Sequence, residues 1–300
     1  MAVKPELASG LAQKRGVERT VTIFDAETKY WFYPAQNPSR GTLLFVHGFR
    51  GAHDGLHAII GELTEYDCYA PDLPGYGESK PMHHAHDLDG YAAWLGELIV
   101  KLNLKTAPDV IGHSFGTMVV SAHAASQLGD MANVILINPV SKPSLEGPRW
   151  FTSALTSALF WTTSKLPERG SRFFVDSWPV LQFVSSVMSK SRDRALRNWI
   201  HRQHHTTMKN YANKAVMYES YLASVHHCVE EYAPRIKNRT LMIAGEKDDI
   251  TSVKQQREVA AKIESVELVV VPKVGHLIHY EASERAADLI RAFLHGEVSR

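Results

Sequence analysis

Ser114 stands between two glycines, in Gly112-His113-Ser114-Phe115-Gly116. A serine hydroxyl is a poor nucleophile until a base takes its proton and a third group orients that base. Two later residues fit those parts. His276, in Gly275-His276, can act as the base, and Asp248, in Gly245-Glu246-Lys247-Asp248, can act as the orienting acid. The chemistry implied is attack of an activated hydroxyl on a carbonyl carbon, with a covalent intermediate. The two glycines suit a sharp turn between a strand and a helix, where the residues two before and two after the serine must be small. Such a turn lifts the Ser114 hydroxyl off the sheet. It also places the Phe115 N–H at a helix start, where the dipole faces a developing oxyanion.

Each of the three residues needs a strand to hold it. Asp109-Val110-Ile111 precedes Ser114, Thr240 to Ala244 precedes Asp248, and Glu267 to Val271, ended by Pro272, precedes His276. All three candidates therefore sit at C-terminal strand ends, where open α/β sheets place their ligands. Further strands read at Thr42–Val46, Asp67–Ala70 and Val134–Ile137, and Thr20–Phe24 with Lys29–Tyr33 reads as a hairpin. Helical periodicity spans Leu88–Leu102, Val253–Ile263 and Glu281–Leu294, the last with Ala286, Ala287, Ile290, Phe293 and Leu294 on one face. The chain shows no internal repeat and no low-complexity linker.

Taken with His47-Gly48-Phe49 after Thr42–Val46 and with Asp72-Leu73-Pro74-Gly75-Tyr76-Gly77-Glu78-Ser79, these motifs resemble the α/β-hydrolase superfamily. The order Ser, Asp, His along the chain is the order of that superfamily. The resemblance covers about residues 20–139 and 236–297 and is not specific for a substrate. It implies a mostly parallel central sheet flanked by helices, with a helical lid inserted. It also implies a catalytic triad of Ser114, Asp248 and His276, and an oxyanion hole from the N–H groups of Phe49 and Phe115. Thr117 stands where many members carry glycine, and should tighten the helix packing. The serine sets the chain apart from haloalkane dehalogenases and epoxide hydrolases of the superfamily, which use an aspartate there. The expected activity is hydrolysis of a carboxylic ester through an acyl-enzyme, of the carboxylesterase or lipase type. Carbon–carbon bond hydrolysis of diketones, cofactor-free perhydrolysis and a slow-turnover receptor with a retained triad are the alternatives.

The expected division is a core of residues 1–139 and 236–300 and a lid of residues 140–235. About a hundred residues separate Ile137 from the strand at Thr240, too many for one crossover helix. Residues 141–240 carry 15 Lys+Arg against 7 Asp+Glu, a net of +8. The whole chain nets +1, so the remainder carries −7. That excess is either a solvated face or an attraction for an anionic substrate or a membrane surface. The segment is rich in aromatics, and a small lid cannot hide them all in a core of its own. Trp150, Phe151, Phe160, Trp161, Phe173 and Phe174 either line an apolar acyl or alkyl pocket over Ser114 or pack the lid on the core.

Other features are weighed against plainer uses. Arg50, just past Phe49, either faces the pocket mouth or pairs with a nearby acid. His113 packs beside the site, and His47 bonds backbone near the oxyanion loop. His83-His84-Ala85-His86-Asp87 has no metal-site spacing and reads as a loop with Asp87 capping a helix. His204-His205 lies in the lid, within reach of a substrate. Asp249 is expected to cap the helix beginning near Thr251 or to stay solvated. No dinucleotide fingerprint or phosphate loop occurs, so neither a cofactor nor a metal is expected. With 44% apolar residues and a sequence pI near 7.9, the composition is globular and gives no pull toward nucleic acid. Met1 to Thr20 has no apolar core of a secretory signal, and Cys68 and Cys228 are far apart. A reducing cytoplasm is the default expectation.

Overall fold

The computed structural model describes residues 2–126, 130–143 and 150–297, the side chains of residues 150–155 excepted. Eight strands form one sheet: β1 (Val17–Ile23), β2 (Ala26–Tyr33), β3 (Thr42–Val46), β4 (Asp67–Pro71), β5 (Asp109–His113), β6 (Asn133–Ile137), β7 (Arg239–Gly245) and β8 (Val266–Val271). Their spatial order is β1-β2-β4-β3-β5-β6-β7-β8. The β1–β2 hairpin is antiparallel, and β2 joins β4 antiparallel. Every later pairing is parallel.

The parallel strands are apolar on both sides because both sides are covered. Along β3, Leu44 and Val46 face one core while Leu43 and Phe45 face the other. The first core is closed by α3 (Leu88–Leu102), α4 (Phe115–Ala124) and α10 (Val253–Ala260). The second is closed by α1 (Lys4–Arg15), α2 (His57–Ile60), α11 (Ile278–Glu281) and α12 (Ser283–Leu294). Helix α1 has no strong periodicity in the sequence. It packs only the small Ala8 and Ala12 inward, and Leu7 and Leu11 stay exposed. The single helix expected over Glu281–Leu294 follows a separate turn, with Ala282 between them at φ −146°.

Between β6 and β7 run α5 (Trp150–Lys165), α6 (Glu168–Val175), α7 (Trp178–Met188), α8 (Arg194–Thr207) and α9 (Lys214–His226). This insert is pinned where it meets the β4–α3 loop. Gly77 N donates to Asn210 O (2.9 Å) and Ala212 N to Gly75 O (2.8 Å). Phe160, Val216 and Tyr221 continue the first core, and Trp199 and Ile200 join Leu277 and Tyr280 in a smaller cluster. Among the described residues no helix is long and apolar enough to cross a membrane.

Candidate active site

The turn between β5 and α4 has no slack. A Cβ on Gly112 would stand 2.5 Å from Gly116 O, and one on Gly116 would stand 2.2 Å from Val46 O. Both approaches are to backbone, which cannot swing aside. Ser114 itself takes φ 53°, ψ −118°, a conformation that L-residues seldom adopt. Thr117 repairs part of this turn: its hydroxyl donates to Ser114 O (2.5 Å) and accepts from Val140 N (3.3 Å). The strained serine carries its hydroxyl to 2.7 Å from His276 Nε2.

His276 Nδ1 lies 2.8 Å from Asp248 Oδ2. Burial pushes the Asp248 carboxyl up, but His276 beside it and hydrogen bonds from His276, Ile250 N and Asn138 outweigh that and hold it below its ordinary value. Asp248 Oδ1 accepts from Ile250 N (2.9 Å) and Thr251 N (3.4 Å), so the acid also organises its own loop. Asn138 went unnoticed in the sequence. It stands at φ 49° just past β6, where its amide donates to Asp248 Oδ2 (2.9 Å) and Gly275 O (3.0 Å) and accepts from Ile278 N (3.2 Å). One side chain thus fixes the acid and both flanks of His276. The only sequence signal was its place at a C-terminal strand end before Pro139.

The two candidate oxyanion donors belong to different elements. Phe115 begins α4, so its N–H has no partner within the helix. Its ring is buried and meets Tyr91 edge-on at 5.5 Å. Phe49 lines the cavity over Ser114, and its ring meets Phe160 (6.0 Å) and Tyr221 (6.1 Å) of the insert. His47 holds the loop between, with Nδ1 2.8 Å from Gly48 O and Nε2 accepting from Leu73 N (2.9 Å).

The cavity over Ser114 has a volume of about 70 Å³. Arg50, His113, His204, Met188 and Met208 are among its walls, together with His279. Burial pushes the imidazoles of His113 and His204 down to about 3 and that of His279 well below its ordinary value. These rings are uncharged at neutral pH. Arg50 reaches the cavity and also pairs with an acid. Its guanidinium meets Asp176 (3.0 Å) and donates twice to Met208 O (3.0 and 2.7 Å). Asp176 in turn accepts from Tyr211 Oη (3.0 Å). The cation is thereby spent inside the protein, and the cavity presents no free charge to a ligand.

The aromatics expected over the pocket go elsewhere. Phe160 is buried but stacks on Tyr221 (4.2 Å) rather than lining the cavity. Trp161 is 57% exposed, Phe173 73% and Phe174 51%, and none lines the cavity. The reason is helix geometry: each falls on an outward turn of α5 or α6, while the cavity roof comes from the ends of α7 and α8. The side chains of Trp150 and Phe151 lie outside the described residues. Asp249 does not cap the helix, since Ser252 caps α10; it stays partly exposed and pairs with Lys190. Asp87 caps α3 through Gly90 N (2.8 Å). Cys68 and Cys228 are buried free thiols. Among the described residues no group of His, Cys, Asp or Glu is arranged to hold a metal.

A family model described as "Alpha/beta hydrolase family" matches residues 43–289. Lipase 1 of Psychrobacter immobilis is 26% identical over 255 residues, covering 84% of this chain and 76% of that protein. Lipase 3 of Moraxella sp. (strain TA144) is 25% identical over 258 residues, covering 85% of this chain and 77% of that protein. Among solved structures, an esterase from Exiguobacterium antarcticum superposes with a TM-score of 0.76 at 17% identity, over 93% of this chain and 100% of that one. A membrane phospholipase A, a bacterial virulence factor, superposes with a TM-score of 0.73 at 22% identity, over 97% of this chain and 89% of that one. The two structural likenesses speak to the fold.

Proposed function

The chain belongs to the alpha/beta hydrolase family, and on that premise we propose that it is a serine hydrolase of uncharged carboxylic esters, working through an acyl-enzyme. The observation that carries this reading is the unbroken hydrogen-bonded series Ser114 Oγ, His276, Asp248, with spacings of 2.7 and 2.8 Å. The lipase names of the two sequence relatives support ester substrates.

His276 takes the Ser114 proton as Oγ attacks the ester carbonyl. Asp248, kept ionised by its partners, holds the Nδ1–H tautomer of His276 and stabilises the imidazolium. The Phe49 and Phe115 N–H groups receive the charge that develops on the carbonyl oxygen. His276 then passes its proton to the leaving alcohol. In the second half it activates water, which releases the acid and restores Ser114. The division into a core and a lid of residues 140–235 belongs to the same proposal, the helical insert serving as the lid. Met188 and Met208 are its flexible contacts with the cavity, and unbranched thioether side chains adapt to differently shaped groups.

The neutral walls favour an uncharged ester over an anionic one. At about 70 Å³ the cavity is small while the insert is in place, which favours a short acyl group. The test is labelling with a fluorophosphonate followed by an ester series from acetyl to octanoyl. Labelling at Ser114 is expected, together with a kcat/KM that is highest for short acyl groups. Ser114→Ala should abolish labelling and lower turnover by several orders of magnitude, on the scale of about 10⁶ seen for lost triad nucleophiles. Native-like turnover by that variant would refute the mechanism, and labelling without turnover of any ester would favour a receptor that retains the triad.

A further inference from the structure

Half of the ten exposed large apolar side chains among the described residues belong to one short stretch: Trp161, Phe173, Phe174, Trp178 and Phe183. All five are aromatic, with exposures of 57, 73, 51, 65 and 69%. The other five, Leu7, Leu11, Val17, Phe24 and Val100, include one aromatic. Soluble surfaces scatter such residues singly, so a concentration of them marks a contact surface.

The setting of these aromatics selects the partner. Helix α7 carries no charged residue along its 11 positions. Cations flank the aromatics at helical spacing: Lys165 follows Trp161 by four residues and lies 5.8 Å from its ring, and Arg169 precedes Phe173 by four. Lys165 and Arg169 are both exposed. The only acids between Thr156 and Lys190 are Glu168 and Asp176. Glu168 is held by Arg172 (2.9 Å) and Lys214 N (3.0 Å), and Asp176 by Arg50 and Tyr211. The exposed side chains of α5, α6 and α7 therefore include aromatic rings and cations, while both acids of this stretch are paired. Tryptophan and phenylalanine settle at the boundary of headgroups and acyl chains, and long basic side chains reach from there to phosphates.

We propose that the outer face of α5, α6 and α7 docks on the surface of an anionic phospholipid bilayer, with Phe173, Phe174, Trp178 and Phe183 entering the headgroup boundary. The contact is peripheral, and it does not depend on which ester the chain cleaves. Its consequence for the site follows from α7, which carries Phe183 outward and ends at Met188 in the cavity wall. Docking would hold that wall within one helix of the lipid.

The experiment is sedimentation of the full chain with vesicles of ether-linked phosphatidylcholine, alone or mixed with ether-linked phosphatidylglycerol. Ether lipids contain no carboxylic ester, so failure of the hydrolase reading leaves the result untouched. Binding is expected to be stronger on the mixed vesicles and to weaken with added salt. The combined Phe173→Ser, Trp178→Ser and Phe183→Ser variant should lose about tenfold or more in partitioning. The single Phe183→Glu variant, on the uncharged helix, should lose several-fold. Arg169→Glu should lose about fivefold on the mixed vesicles alone. Phe24→Ser, in the β1–β2 turn, should bind as the native chain does. The proposal is overturned if the native chain binds neither vesicle, or binds both equally. It is overturned also if the triple variant binds undiminished, or if light scattering shows a dimer that the triple variant disperses while vesicles stay unbound.

Discussion

The elbow that carries Ser114 and the helical insert next to it are held to different tolerances. At the elbow, backbone meets backbone: glycines at 112 and 116 admit contacts that no Cβ would allow, and Asn138 joins three chain segments through one amide. The insert is held by apolar packing on the first core, by two backbone bonds to the β4–α3 loop, and, around the cavity, by side-chain polar pairs: Arg50 with Asp176, Lys190 with Asp249, and Ser189 with Glu281. Its outer face leaves aromatics in water. Chemistry that tolerates little displacement sits where nothing can move without breaking the fold. The proposed lid and lipid contact sit where a few ion pairs and hydrogen bonds can exchange. The two neighbouring aspartates, Asp248 and Asp249, fall on either side of that divide.

Replacing those aspartates one at a time gives the largest contrast. Asp248→Asn keeps the shape but reverses the bond to His276 Nδ1, which leaves the ring in the wrong tautomer. We expect kcat to fall about a thousandfold or more, at least about 4 kcal/mol of transition-state stabilisation. Asp249→Asn loses a partly exposed ion pair to Lys190, with side-chain exposures of 30 and 22%. Its stability cost should be about 1 kcal/mol or less, with kcat little changed. Steady-state kinetics and thermal melts on both variants decide the matter. Equal losses of kcat would mean that the insert's polar ties are as critical as the triad.

The same divide governs what the sequence disclosed. Ser114, Asp248 and His276 were legible because each follows an apolar strand, and the glycines at 112 and 116 have a single steric purpose. The parallel strands were legible for the same reason, being apolar runs of about five residues bounded by turn signals. Asn138 was not, since an asparagine after a strand becomes a support for the acid only once β6 lies beside β7 and the Gly275 turn. The insert was the least legible part. Composition identified it as aromatic and basic, but α5 and α9 have little amphipathicity to declare which face turns inward, and α6, though strongly amphipathic, turns Phe173 and Phe174 to solvent. The aromatics therefore looked like a pocket roof, whereas Met188, His204 and Met208 supply it.

Acid should strain both regions through buried imidazoles, of which His113 and His204 stand one in each. His113 lies beneath the elbow, with Nε2 3.4 Å from His276 O, and His204 lies in α8 with Nδ1 2.7 Å from Ser185 Oγ. Burial pushes both down to about 3. The unfolded chain takes up protons at these groups below about pH 6.5, while the folded chain refuses them until about pH 3. Their contribution is thus complete above pH 6.5 and is lost progressively as the pH falls toward 3. At pH 5.5 the loss is about 1.4 kcal/mol for each, roughly 3 kcal/mol together. Urea titrations at pH 7.5 and 5.5 measure it. His204→Gln should remove its own share, about 1.4 kcal/mol, of the pH dependence, and a stability unchanged between the two pH values would contradict the account.

Arg50 is where the two regions are tied, so its removal should give the smallest but most telling effect. It follows Phe49 directly, at φ 56°, with its guanidinium buried against Asp176 and Met208 O. Arg50→Met leaves the carboxylate with Arg172 at 3.7 Å and the Tyr211 hydroxyl, so the charge is only partly stranded. A buried pair broken on one side costs about 3–5 kcal/mol, and the remaining partners should reduce that to about 2 kcal/mol. Adding Asp176→Leu should recover most of the stability, because the stranded charge goes with it. Activity should not recover in the double variant. The loop that carries the Phe49 N–H would still have lost its tie to the insert, and kcat should stay several-fold low with KM little changed. Recovery of stability and kcat together would show that Arg50 serves only to neutralise Asp176. Recovery of neither would place its value in the two bonds to Met208 O.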